Sequence, residues 1–212
     1  MPTDKNINKE IGSHVIVKTR RRRTQADSRE NILAAAEAIL TSRGPLELKL
    51  TEVAAQAGVA PATVLHHFSA IDGVQAALME RMVARLAARV IAITEAGPPG
   101  EPPGPETDIA LFDAFEDQGA ARLAAWMVMT GQALGLTEVK RAIDSVVDLL
   151  LSRLPNPPAR EIMEDLALTS VAIALGAGLF GQPLSILLNR PPDSVRHRSL
   201  AALAALNTEA PG

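Results

Sequence analysis

Glycine and proline fall in clusters along this chain, and between the clusters apolar residues recur at three- and four-residue spacing. Neither residue continues a helix well, so the clusters divide the chain into helices of limited length. The breaks stand at Gly44-Pro45, Gly58 to Pro61, Gly97 to Pro105, Pro155 to Pro158 and Pro191-Pro192. Asp27 or Ser28 opens the first helix, whose apolar face carries Ile32, Leu33, Ala36, Ile39 and Leu40. Thr51 is the expected N-cap of a second helix that stops at Gly58, and Pro61 fits the first position of a third that ends at Phe68. A fourth, opened by Asp72, keeps Val74, Leu78, Met82, Leu86, Val90 and Ile93 on one slowly drifting face. Residues 97–107 are expected to be a mobile loop. Five further helices are predicted over 108–117, 120–134, 138–154, 159 to about 180, and 193–206.

Composition supports an all-α fold. Aromatics are only 2% of the chain while Ala and Leu dominate, which suits helices far better than a large sandwich of strands. There is no cysteine, so disulfides, thiolate zinc sites and a cysteine nucleophile are excluded, as befits a reducing cytoplasm. There is no tyrosine, no phosphate-cradling glycine loop followed by Lys-Ser/Thr and no histidine pair at metal-binding spacing. An enzyme, a metal site and a bound cofactor are therefore not expected. The longest apolar run, 166–181, falls short of the roughly 20 residues that cross a bilayer and reads as a helix buried in protein. The N-terminus lacks the apolar stretch of a signal peptide.

Charge is unevenly spread. Residues 1–70 hold 10 Lys and Arg against 7 Asp and Glu, whereas residues 71–212 hold 11 against 17. A basic front and an acidic remainder suit a nucleic-acid module joined to a domain that stays away from nucleic acid. Arg20, Arg21, Arg22 and Arg23 stand together just before the first helix, at the end of what is read as a flexible basic arm over 1–23.

The second and third helices, joined by Gly58-Val59-Ala60-Pro61, have helix-turn-helix dimensions. Ala54 is small enough for the two helices to approach, Gly58 takes the tight turn, and Val59 and Val64 face inward. Thr63, His66 and His67 are left outward on a helix short enough for a major groove. Each has a plainer reading: the Thr63 hydroxyl can bond its own backbone, and the histidines can be solvated. Neighbouring helix residues diverge by about 100°, so the two histidines do not converge on one metal.

These residues carry a resemblance. Ile32 to Ala36, Thr51-Glu52-Val53-Ala54, Ala57-Gly58-Val59 and Thr63-Val64-Leu65-His66-His67-Phe68 lie within a stretch, Arg29 to Met82, that resembles the DNA-binding domain of the tetracycline-repressor (TetR) family. The resemblance implies a helix-turn-helix domain over 24–71 and a helical domain over 72–212 that dimerises and binds a small effector. It implies DNA contacts from Thr51, Ala62, Thr63, His66 and His67, joined by the arginines at 20–23. Where this chain has Leu65, family members usually carry a tyrosine that reaches a backbone phosphate, and they often have Ser, Lys and Lys in place of Ala60, Pro61 and Ile71. Losing such groups weakens binding to all DNA, and the four arginines are positioned to compensate.

In the C-terminal part, Phe112, Phe115, Trp126, Met127 and Met129, with Arg122 and Thr130 as polar anchors, are candidates for an effector pocket suited to an apolar or amphipathic molecule. Most such side chains simply make core. The helices around 159–180 and 193–206 are expected to pair across a two-fold axis, because Val171 to Leu179 is too apolar to face water; burial within one subunit is the other reading. The expected protein is a homodimeric repressor holding two recognition helices roughly 34 Å apart on a pseudo-palindromic double-stranded operator and released by an effector. Activation instead of repression, and an effector-binding scaffold with a weakened DNA module, stay open.

Overall fold

A computed structural model describes residues 25–101, 104–132 and 136–209. Every regular element among them is helical. Their order is α1 (Gln25–Arg43), a 3-10 turn (Pro45–Glu47), α2 (Leu50–Ala57), α3 (Pro61–Phe68), α4 (Ile71–Ala96), α5 (Pro105–Phe115), α6 (Ala120–Met129), α7 (Leu136–Arg153), α8 (Arg160–Leu187) and α9 (Ser194–Glu209).

Two buried clusters organise the chain. The larger joins Ile32, Ile39 and Leu40 of α1, Val53 and Ala54 of α2, Val64 and Phe68 of α3, and Val74, Leu78 and Met82 of α4. Leu123 and Met127 of α6 belong to it as well, so the C-terminal half shares a core with the helix-turn-helix. Each such aliphatic side chain contributes about 1.5–3 kcal/mol by leaving water. The smaller cluster joins Phe112 of α5, Ala174 and Ala177 of α8 and Leu203 of α9. Gly178 lets α8 approach closely, since a Cβ there would meet Ala121 Cβ and the Phe115 carbonyl oxygen, each at 2.8 Å. Arg196 of α9 fastens the same region from outside, bridging to Asp113 of α5 and Glu116 just after it, while Arg89 of α4 reaches Asp113 at 3.0 Å.

The helix boundaries differ from expectation at informative places. Thr51 is not the N-cap of α2: Lys49 takes the extended backbone of a cap (φ −102°, ψ 148°) and Thr51 lies exposed in the first turn. Ala70, not Asp72, precedes α4. Proline begins α5 inside the segment expected to be loop, since Pro105 needs no hydrogen-bond partner at a first helical position. Part of that segment is tied down, with Gly100 N–H donating to Arg153 O at 3.1 Å and Arg153 Nη2 to Gly97 O at 2.6 Å. Gly131 (φ +71°) stops α6 five residues early, where Gln132 N–H reaches back to Met127 O at 2.8 Å.

The largest departure is α8. It runs straight through Pro183 to Leu187, 28 residues in all, rather than ending near Phe180. A proline removes one helical hydrogen bond, but α8 is packed on α9 just before it, with a Cβ at Gly181 3.5 Å from Val195 Cβ. This corrects the expectation of a run too short to span. By length and composition alone α8 could cross a membrane, although in this fold it packs on α5, α6, α7 and α9. Six helices, α2 to α6 and α8, start without a side-chain cap hydrogen bond.

Candidate nucleic-acid interface

The turn between α2 and α3 is closed by backbone geometry. Gly58 adopts the left-handed conformation (φ +65°), Val59 N–H donates to Ala54 O at 3.0 Å and Gly58 N–H to Ala55 O at 3.1 Å. This pairing satisfies the last carbonyls of α2 and turns the chain sharply, which is why a residue without a Cβ stands there. Ala60 then takes an extended conformation and Pro61 opens α3.

Within α3, Val64 (0% exposed) and Phe68 (7%) fill the core and fix the roll of the helix. The opposite face presents Pro61, Ala62, Leu65 and His66 to solvent, with Thr63 and His67 at its half-buried margins. The two imidazoles stand edge to face, 5.4 Å apart. No Asp or Glu occurs between Gly58 and Ala70, so nothing on this helix repels a polyanion. Thr51 is exposed at the start of α2, on the neighbouring helix of the motif.

Two contacts that sequence reasoning missed hold the motif from α1. The Arg29 guanidinium lies 4.3 Å over the Phe68 ring, and its Nη1 donates to His67 O at 3.2 Å, placing a cation at the C-terminus of α3 where the helix dipole favours one. Asn31 Nδ2 donates to Ala57 O at 2.8 Å, doing the same for α2 without charge. From the other side Arg81 of α4 donates to Leu33 O at 2.9 Å and pairs with Glu30 and Glu37, while Arg85 also pairs with Glu37. Gly73, in the first turn of α4, sits so near α3 that a Cβ would lie 2.1 Å from Phe68 O.

The other basic residues of this region are engaged locally. Arg43 pairs with Glu52 at 3.0 Å and Lys49 with Glu47 at 3.3 Å. Arg20, Arg21, Arg22 and Arg23 lie outside the described residues. A shallow open cleft of about 610 Å³ between α1 and α2, lined among others by Ile39, Ser42, Arg43 and Gln56, includes none of the effector-pocket candidates.

Those candidates are dispersed. Phe112 is fully buried in the α5–α8–α9 cluster, and Phe115 is half-buried between that cluster and the larger one. Met127 is fully buried in the larger cluster, with residues of α1 to α4. Met129 is 77% exposed, and the Thr130 hydroxyl donates to Trp126 O at 2.8 Å, closing its own helix end. Arg122 Nη2 reaches Thr41 O at 3.4 Å, linking α6 to the end of α1. Trp126 is half-buried, and its Nε1 is sealed from water without a hydrogen-bond partner among the described residues.

Comparison with known proteins agrees with this geometry. Residues 32–78 match the family described as bacterial regulatory proteins, tetR family. No curated protein matches the chain. Among solved structures, a transcriptional regulator from Rhodococcus sp. Rha1 is 25% identical (TM-score 0.57), covering 84% of this chain and 95% of its own. The multidrug binding protein EbrR, solved with imidazole, is 20% identical (TM-score 0.58; 84% and 93% covered). A regulator from Saccharomonospora viridis, solved with choline, is 16% identical (TM-score 0.57; 87% and 97% covered). The last two likenesses speak to the fold alone.

Proposed function

We propose that this chain, whose residues 32–78 match the tetR family of bacterial regulatory proteins, is a DNA-binding repressor that binds a pseudo-palindromic operator as a homodimer and is released by a small effector. The observation that carries the DNA half of this reading is the outward face of α3, free of acidic residues and set at a defined angle by Val64, Phe68 and the Gly58 turn. Ala62, Thr63, His66 and His67 would meet base edges, Thr51 a phosphate near the start of α2, and Arg20 to Arg23 the adjacent backbone.

Dimerisation is supported by the apolar stripe on α8. Leu168 (68% exposed), Phe180 (60%) and Leu187 (74%) lie on one side of it, with Ala172 and Gly176 between them. A continuous apolar stripe of this size is unfavourable in water, and the small residues allow a second copy to approach closely. Pairing α8 and α9 with their symmetry mates would close a four-helix bundle. For the effector, Phe115 and Trp126 remain the best lining residues. Phe112 and Met127 fill cores, while Met129 and Thr130 face outward. The relatives solved with imidazole and choline are a reason to screen small polar or cationic nitrogen compounds beside apolar and amphipathic ones.

Binding of the full chain to a labelled pool of short duplexes at two salt concentrations tests this reading. Strong preference for one near-palindrome supports it, together with a dimer in sedimentation that Phe180→Asp converts to monomer. Weak binding, equal for all duplexes and abolished in moderate salt, favours an effector-binding scaffold with a weakened DNA module. The pairing of Arg43 and Lys49 with neighbouring acids is the observation on that side.

A further inference from the structure

The recognition face is unusual in what it lacks. Of the four residues it presents to solvent, three are apolar: Pro61, Ala62 and Leu65. Leu65 is 43% exposed and stands apart from the core cluster that takes Val64 and Phe68 on either side of it in sequence. Ala62 lies one turn before it and Pro61 four residues before, so the three form a strip along the helix. Such a strip can neither bond a phosphate nor donate to a base edge. The only apolar group that bases display in the major groove is the 5-methyl of thymine.

We propose that Leu65, with Ala62 beside it, reads thymine methyl groups in each operator half-site, making it a specificity-determining residue. This rests on the DNA-binding reading above. The absence of acidic side chains from Gly58 to Ala70 lets the strip come close to the duplex, and the polar residues beside it, Thr63, His66 and His67, supply the hydrogen bonds that the strip cannot. Recognition would then divide along the helix: hydrogen-bonding side chains set one part of each half-site, and a methyl pattern sets the other. Leu65 contributes nothing to binding at cytosine, because the hydrogen at that ring position leaves a gap where the methyl would fit.

The test uses the full-length protein and the duplex it selects from a random pool. Each thymine is replaced in turn by deoxyuridine, which removes the methyl and leaves the hydrogen-bonding edge intact. Wild-type binding should weaken about fourfold for each methyl read, the value for one buried carbon. At the same positions Leu65→Ala should respond by less than about twofold, since the side chain that met the methyl is already gone. Leu65→Met should keep the uracil sensitivity, which separates removal of the apolar tip from damage to the helix. Changing a read T·A pair to C·G should weaken binding, and 5-methylcytosine there should recover part of the affinity. If uracil is tolerated at every position while the selected duplex still outcompetes scrambled DNA, the methyl reading is overturned and the regulator reading stands. If no duplex outcompetes scrambled DNA, both fall together.

Discussion

Replacing Gly73 by alanine should separate the placement of α3 from the rest of the fold. The added Cβ would lie 2.1 Å from the Phe68 carbonyl oxygen and 3.2 Å from its carbon. An ordinary carbon–oxygen contact is more than 1 Å longer than the first of these, so α3 and α4 must move apart at that point. The obstacle is backbone at the end of a helix, and no side chain can rotate away to relieve it. Overpacking of this kind costs about 1–3 kcal/mol. Alanine returns about 0.5–1 kcal/mol by restricting the unfolded chain and favouring helix. The net destabilisation should be about 0–2.5 kcal/mol, or up to about 10 °C in melting temperature for a chain of this size. The displaced end of α3 also carries His67, whose carbonyl is held by Arg29. Operator affinity should therefore fall further than stability, by about tenfold or more, since one good side-chain pairing with a base edge is worth about 1–3 kcal/mol. Calorimetric melting and operator titration of the same preparation give both numbers. A Gly73→Ala protein that melts higher than the parent and binds its operator unchanged would refute the close approach.

Three further outcomes are expected. Arg29→Ala should weaken operator binding several-fold with helix content unchanged by circular dichroism, because it removes the cation over Phe68 and the donor to His67 O; Arg29→Lys should recover only part, lacking the planar stacking and forked donors. Replacing Arg20 to Arg23 by alanine should flatten the dependence of log affinity on log salt by about 0.9 for each phosphate no longer neutralised, and an unchanged slope would remove these residues from the interface. Burial raises the Asp113 carboxyl, but hydrogen bonds and charge from Arg196 and Arg89 outweigh it and hold the group below its ordinary range. In the folded chain it therefore protonates later than in the unfolded chain as pH falls. Its stabilising contribution is full above about pH 4, the unfolded carboxyl value, and disappears as pH falls through the lower folded value. Melting curves across pH 2–6 should show Asp113→Asn flattening that acid dependence.

Breakers and helical periodicity were enough to place every helix of the described chain in order, because both are local properties. What periodicity could not supply was the ends. Thr51 has a cap's chemistry, yet the chain enters α2 at Lys49; Gly131 stops a helix expected to run past it, whereas Pro183 fails to stop one. Packing decides such cases, and packing is not local. The same reason hid Arg29 and Asn31, whose partners lie 38 and 26 residues away. In the candidate effector region the limit was different. Phe112, Met127 and Met129 share one chemistry, so only the fold could send the first two to separate cores and the third to solvent.

The uncapped helix starts bear on how long the recognition helix persists. With eight residues each and no side-chain cap, α2 and α3 are shorter than the roughly 12–15 residues at which an isolated helix becomes even marginal in water. They exist because α1 and α4 hold them, so their lifetime is borrowed. Amide protons of α3 should exchange at the pace at which α1 and α4 part, not at a pace of their own. The part of the molecule that meets DNA then has no private clock: it is as durable as the two long helices behind it, and it fails when they do.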